Sequence, residues 1–404
     1  MNFTRRSQDL MSFFIKHKHL NYNKLTGKTT TILKELYDVM LKANNNTNYA
    51  REIKKLSTSN PISKPSSFNS NSFPETIRQH IDKLMVTELT YSFSLYDRKV
   101  KVHFFVEEEV AIGKTEMYDR YIQMIYIWLC ILNMYSSKEC VKTLIAYFYF
   151  TSLEKRLPNS NIHILNEKNV NTAFTTTCPK DSEIVVFRKE EWFKVFIHET
   201  FHNFGLDFSM MNNEHVNKCI LNIFKVHSQV NSYEAYTEFW AEIINAGFCS
   251  FKDSNNVNSF LSKMEIYINL ERTYSFFQLV KTLDFMGLTY KDLYSNNKHS
   301  IIARENLYKE NTNVLSYYVI KCVLMNNYQG FFNWCLQNNS SLFNFKKTTK
   351  NQKEFCEFIK ANYKTQSMLN GIYNAEEFLN KLKYKRKNNV FVLSNLRMSI
   401  CELG

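Results

Sequence analysis

"WFKVFIHETFHNFGLD", residues 192–207, carries His198 and His202 four residues apart with Glu199 between them. On a helix this spacing places both imidazoles on one face, one turn apart, where they can share one tetrahedral metal ion. Glu199 projects about 100° away from that face. It is badly placed to be a third ligand and well placed to reach a metal-bound water. The local sequence suits a helix from about Lys189 to Gly205. Trp192, Val195, Phe196 and Phe204 supply an apolar packing face, and Gly205 is a natural C-terminal stop. With 10 His among 404 residues, composition alone would produce the His-Glu-x-x-His pattern about once in a hundred such chains. The surroundings therefore have to decide, and a strand-like "EIVVFR" (183–188) directly precedes the helix.

A metal held by His198 and His202 needs another protein ligand. In the pattern His-Glu-x-x-His-x-x-Gly-x-x-His/Asp, the chain matches through Gly205, but the ligand position falls on Phe208. Asp207 is one residue out of register, so the metzincin arrangement does not fit. The other source is the later helix "SYEAYTEFWAEIINAGF" (232–248), expected to close at Gly247. Glu234, Glu238 and Glu242 recur there every four residues and share a face. Phe239, Trp240, Ile243 and Ile244 make that helix largely buried, and buried carboxylates need a cation.

Glu238-Phe-Trp-Ala-Glu242 resembles the Glu-x-x-Ala/Ser-Asp/Glu signature of gluzincin-type zinc metallopeptidases. Glu234-Ala-Tyr-Thr-Glu238 fits nearly as well. The resemblance spans residues 160–248 and implies an α+β fold with a zincin-like core. That core is a small twisted mixed sheet, the active-site helix and the glutamate helix, here with large α-helical flanking regions. It implies Zn2+ held by His198, His202 and Glu238, with Glu234 the alternative, and Glu242 orienting a ligand from behind. It implies hydrolysis of peptide bonds in a peptide or protein substrate, with Glu199 as general base toward a metal-activated water. The edge strand of such a sheet borders the cleft and pairs with an extended substrate. "NTAFTTT" (171–177) is the candidate for it. His215, His227, Tyr233 and Tyr236 are the nearby candidates for an oxyanion donor. A zincin fold kept only as a structural or interaction scaffold is the alternative, and the intact Glu199 argues against it.

The rest of the chain sets bounds. Hydrophobic residues make up 44%, enough for a packed core and against global disorder. With 8 Gly and 5 Pro, turn-rich all-β folds are disfavoured and long helices favoured. The net charge of +13 is partly terminal, through Arg5, Arg6, Lys16 and Lys18 and through "KLKYKRKNN" (381–389). No nucleic-acid motif accompanies it, so nucleic acid is not an expected partner. The 9 cysteines lack any Cys-x-x-Cys pair, which suggests reduced thiols in an intracellular, cytoplasmic setting. The N-terminus lacks the sustained apolar run of a signal peptide. The uncharged "YIQMIYIWLCILNMYSS" (121–137) is shorter than the ~20 residues of a membrane span and reads as a buried helix. "LTGKTT" (25–30) and "AIGKTE" (111–116) lack the upstream glycine of a P-loop, and no cofactor-binding motif is present.

Three regions are expected. Residues 1–75 form basic helical pieces ending in the Ser/Asn/Pro linker "STSNPISKPSSFNSNSFPE" (57–75). Residues 76–290 form the zincin-like core, and residues 291–404 a helical C-terminal region. Within the core, "TELTYSFSLYDRKVKVHFFVEEE" (87–109) predicts a hairpin turning near Asp97-Arg98. Helices are expected over about 115–135 and 138–156, and short strands at 161–165, 171–177 and 183–188.

Overall fold

The computed structural model describes residues 2–16, 22–44, 48–111, 113–385, 387 and 389–404. Lys18, Arg386 and Asn388 of the basic terminal runs, and Ile112 of "AIGKTE", lie outside the described residues. The chain begins with α1 (Arg5–Lys16), α2 (Gly27–Asn44), β1 (Ala50–Lys55) and α3 (Glu75–Leu84). The hairpin β2 (Thr87–Leu95) and β3 (Arg98–Val106) follows, then α4 (Glu116–Tyr135), β4 (Thr143–Phe150), α5 (Glu167–Val170), β5 (Ala173–Thr175) and β6 (Asp181–Val186). Next come α6 (Trp192–Asn203), α7 (Glu214–Ile223), α8 (Ser232–Lys252) and α9 (Val257–Phe285). The remainder is α10 (Lys298–Leu307), a π-helical turn Leu315–Ile320, α11 (Lys321–Asn326), α12 (Tyr328–Asn338), α13 (Thr349–Asn362), α14 (Gln366–Tyr384) and α15 (Val390–Ser394).

The architecture is mixed α and β. One 6-stranded sheet runs in the order β1, β2, β3, β4, β6, β5. Its centre, β3 with β4 and β4 with β6, is parallel, and the outer pairs are antiparallel. The hairpin turns at Tyr96-Asp97, where expected. The inner face carries Val102, Phe104, Phe148 and Ile184, and α4 and α6 pack on it. Trp192 of α6 sits among Phe104, Tyr121, Phe148 and Phe150. Trp128 of α4 donates its indole N–H to Thr200 Oγ1 at 2.7 Å, locking the two helices together. The 121–137 segment is therefore a core helix, as expected. Among the described residues no helix is long and apolar enough to cross a membrane.

Several expectations are corrected. The predicted helix over 138–156 contains β4 instead. "TLIAYFYF" is β-branched and aromatic, and between two parallel neighbours it is covered on both faces, so its apolar run is continuous rather than helical in period. "NIHIL" (161–165) is a turn that contributes a single bridge, Leu165 to Glu310. The strand β1 lies in a stretch read as helical and pairs along β2. Gly247 does not end α8, which continues to Lys252. A Cβ there would lie 3.3 Å from Leu36 Cδ2, so this glycine serves the close approach of α2.

Buried apolar packing crosses the boundaries of the three expected regions among the described residues. One apolar core runs from Leu10 to Leu403. The supposed linker packs Phe68 and Phe73 with α3 against Phe105, Tyr147, Tyr149 and Phe187 on the outer face of the sheet. The C-terminal stretch "NLRMSICEL" (395–403) is buried in the interior. There Glu191 Oε1 accepts from the amides of Met398 (3.0 Å) and Ser399 (2.6 Å). Glu271 accepts from those of Ile400 (3.0 Å) and Cys401 (2.9 Å). Backbone donors taken from water into a core must be paired, and two buried carboxylates do this.

The expectation of uniformly reduced thiols fails as well. Cys140–Cys178 and Cys219–Cys356 are disulfides, and the other five cysteines are buried thiols. Sequence separations of 38 and 137 residues hid both pairs from any local spacing rule.

Candidate metal centre

Helix α6 leaves β6 through a tight connection with Glu191 at φ 59° and ends at Gly205, φ 64°. Every residue of α6 is buried, because the sheet lies on one side and α8 on the other. This sandwiching brings the histidine face of α6 against the glutamate face of α8.

His198 Nε2 lies 3.0 Å from Glu234 Oε2 and 3.2 Å from His202 Nε2. His202 Nε2 lies 3.5 Å from the same Glu234 oxygen. Three donor atoms thus face one another across a small triangle. A tetrahedral zinc ion with ligands at ~2.0–2.1 Å separates its ligand atoms by about 3.3–3.4 Å. The triangle's edges match that spacing, so the donor set fits such an ion.

The opposite edges of both imidazoles are held by carboxylates. His198 Nδ1 donates to Glu238 Oε2 at 2.9 Å, and His202 Nδ1 bonds Asp207 Oδ2. A carboxylate on Nδ1 selects the tautomer that carries the proton there and leaves the Nε2 lone pair free. Asp207 is itself held by Ser209, through its amide (2.7 Å) and hydroxyl (2.6 Å), with Thr237 Oγ1 at 3.4 Å. Glu238 gives its other oxygen to Lys194 Nζ at 2.5 Å.

The two glutamates left open by the sequence take different places. Glu234, the alternative, supplies the third converging atom. Glu238, the expected ligand, stands behind His198. Glu242, expected behind a ligand, instead pairs with Lys321 at 2.6 Å, two turns of α8 from Glu234. The imidazole of His198 spans one turn of α8, with Glu234 at one edge and Glu238 at the other, and the axial position of α8 decides which acid meets which nitrogen.

Burial opposes charge on His198, yet the hydrogen bonds to Glu234 and Glu238 outweigh it and its pKa is raised. Burial likewise opposes charge on His202, but Asp207 and Glu234 hold its pKa well above the ordinary value. Glu234 is held well below the carboxylate range despite burial, by both imidazoles. Glu238 is held there by Lys194 and His198, again against burial. The buried acids thus demand positive charge, which a divalent cation meets with both imidazoles neutral.

Glu199 makes no hydrogen bond to any described residue. Burial raises its pKa, and the charges on His198 and His202 offset this only in part. It lines a small cavity together with His198, Thr172, Ala173 and Tyr317. A larger groove shares Asn171 with that cavity and is lined by Phe174 of β5, Asn231 and Asn313. β5, from the predicted edge segment, is the sheet's last strand.

Of the four expected oxyanion donors, His215 and His227 are exposed. Tyr236 is committed to the Phe343 carbonyl at 2.9 Å. Tyr233 lies edge-on to His202, with ring centroids 5.8 Å apart. Tyr317, which sequence reasoning missed, donates to Glu234 Oε2 at 3.0 Å and lies edge-on to His198. It sits on the π-helical turn, a distortion frequent at functional sites. No motif marks it, because it is 83 residues from its partner.

No family model and no solved structure matches the chain. It is similar to an uncharacterized protein of Acanthamoeba polyphaga mimivirus, at 28% identity over 190 residues. The aligned stretch covers 44% of this chain and 46% of that protein, so the match spans less than half of each.

Proposed function

We propose that the protein is a zinc-dependent hydrolase of peptide bonds, with the gluzincin-like ligand set His198, His202 and Glu234. The observation that carries this reading is the convergence of His198 Nε2, His202 Nε2 and Glu234 Oε2 within 3.5 Å of one another, beside the unpaired Glu199. When bound, zinc supplies Lewis acidity and lowers the pKa of a coordinated water to ~7. Glu199 takes the proton from the attacking water and hands it to the leaving amine. Its buried setting keeps it basic enough for that exchange. Tyr233, edge-on to His202, is the remaining candidate for stabilising the developing oxyanion, since Tyr317 donates its hydroxyl to Glu234. An extended substrate would lie in the Asn171 groove and pair with the free edge of β5.

The test measures bound zinc and peptide hydrolysis for the native protein and for Glu199→Gln. Stoichiometric zinc in both, with hydrolysis lost in the variant, supports the enzyme. Zinc without hydrolysis in either marks a scaffold built on the same site. A native protein that takes up no zinc ends the reading.

A further inference from the structure

Lys194 precedes His198 by one helical turn on the same face of α6, and its side chain is 2% exposed. A buried ammonium at this place needs a reason, because desolvating it is costly. Its Nζ sits 2.5 Å from Glu238 Oε1 and 3.9 Å from Glu191 Oε1. Glu191 is in turn fixed by Lys155 Nζ at 2.7 Å and by the amides of Met398 and Ser399. An acid held by three other donors thus stands behind the ammonium. In front of it, Glu238 has one oxygen on Lys194 and the other on His198 Nδ1. His202 is oriented differently, since its Asp207 is held by the neutral donors of Ser209 and Thr237.

We propose that Lys194 is a positioning residue of the metal centre: by holding Glu238 Oε1 it presents Oε2 to His198 Nδ1 and leaves His198 Nε2 free to bind the ion. Without Lys194 the Glu238 carboxylate loses its fixed rotation. It can then turn away from Nδ1, and the ring loses both its tautomer and its aim. This inference rests on the reading of the site as a zinc centre. Groups that orient metal ligands from behind are typically worth 10–100-fold in metal affinity.

The experiment titrates zinc into the full chain against a chromogenic chelator and records thermal unfolding of the zinc-free proteins. Lys194→Met is expected to weaken zinc binding by 10–100-fold. Lys194→Met combined with Glu238→Gln removes both buried charges. It is expected to recover the unfolding midpoint without recovering the affinity, because a neutral amide is a poorer partner for Nδ1–H. Affinity within twofold of native in Lys194→Met, or native affinity in the double variant, overturns the proposal. If Lys194→Met does not fold, the double variant is compared with Glu238→Gln alone: equal affinities support a role of Lys194 through Glu238, and a further tenfold loss in the double variant overturns it. A native protein that binds no zinc overturns the metal-centre reading itself, and this proposal with it. Native binding with an unaffected Lys194→Met overturns this proposal alone.

Discussion

Glu190 and Glu191 are adjacent, Glu191 fully buried and the Glu190 side chain 8% exposed, and they should act on stability with opposite signs. Burial pushes Glu191 up, but Lys155, Lys194 and Arg397 outweigh it and bring its pKa down from 4.5 to about 2. Burial raises Glu190 from 4.5 to about 7, since Arg397 only partly compensates and Glu191 adds repulsion. Each pK unit corresponds to ~1.4 kcal/mol, so each residue carries about 3 kcal/mol. The Glu191 contribution is present above pH 4.5 and is lost as pH falls through about 2. The Glu190 penalty is full above pH 7 and disappears as pH falls to 4.5, so wild-type stability should rise over that descent. The assay is urea unfolding between pH 3 and 8 for the native protein, Glu190→Gln and Glu191→Gln. At pH 8, Glu190→Gln should be more stable than the native protein by about 3 kcal/mol, with the gap closed at pH 4. Glu191→Gln should lose about 3 kcal/mol or more at pH 7, because it also leaves Lys155 buried without its partner. Its deficit should shrink by about 2 kcal/mol between pH 5 and 3. A Glu190→Gln variant that is less stable at pH 8, or a Glu191→Gln variant as stable as native at pH 7, would refute the reasoning.

Glu234→Gln should cost most of the zinc affinity, about 100-fold or more if a structural site's ~10–16 kcal/mol is shared among four ligands. Glu238→Gln should cost less affinity, about tenfold, through the weaker hold on His198 Nδ1, and should destabilise the fold through the stranded Lys194; a chelator competition giving the reverse order of affinities would make Glu238 the ligand. Thiol counting in denaturant without reductant should find five reactive cysteines of the nine, and nine reactive thiols would disprove both disulfides. Replacing Cys219 and Cys356 by Ser should destabilise more than replacing Cys140 and Cys178, by loop-closure upper limits of about 5 against about 4 kcal/mol, which urea midpoints check. Tyr317→Phe removes a hydroxyl from an anionic oxygen and should weaken zinc binding roughly tenfold, and unchanged affinity would place Tyr317 outside the centre.

The sequence by itself determined what depends on neighbours along one chain segment. The i, i+4 histidines share a face because a helix repeats every 3.6 residues, and Gly205 ends that helix because it adopts a positive φ. The hairpin turning at Tyr96-Asp97 and the glutamate helix were legible for the same local reason. The need for cations near the three glutamates was legible too, from their burial. Which cations was not: Lys194 meets Glu238 and Lys321 meets Glu242 across helices 44 and 79 residues apart in sequence. Glu234, Glu238 and Glu242 are equivalent by periodicity. Only the docking of α8 against α6 breaks that equivalence, placing Glu234 between the two Nε2 atoms and Glu238 behind His198. The same holds for β4, whose apolar run becomes a strand because β3 and β6 cover its edges. It holds for Tyr317, the two disulfides and the buried C-terminal stretch, each fixed by partners that no sequence period brings together.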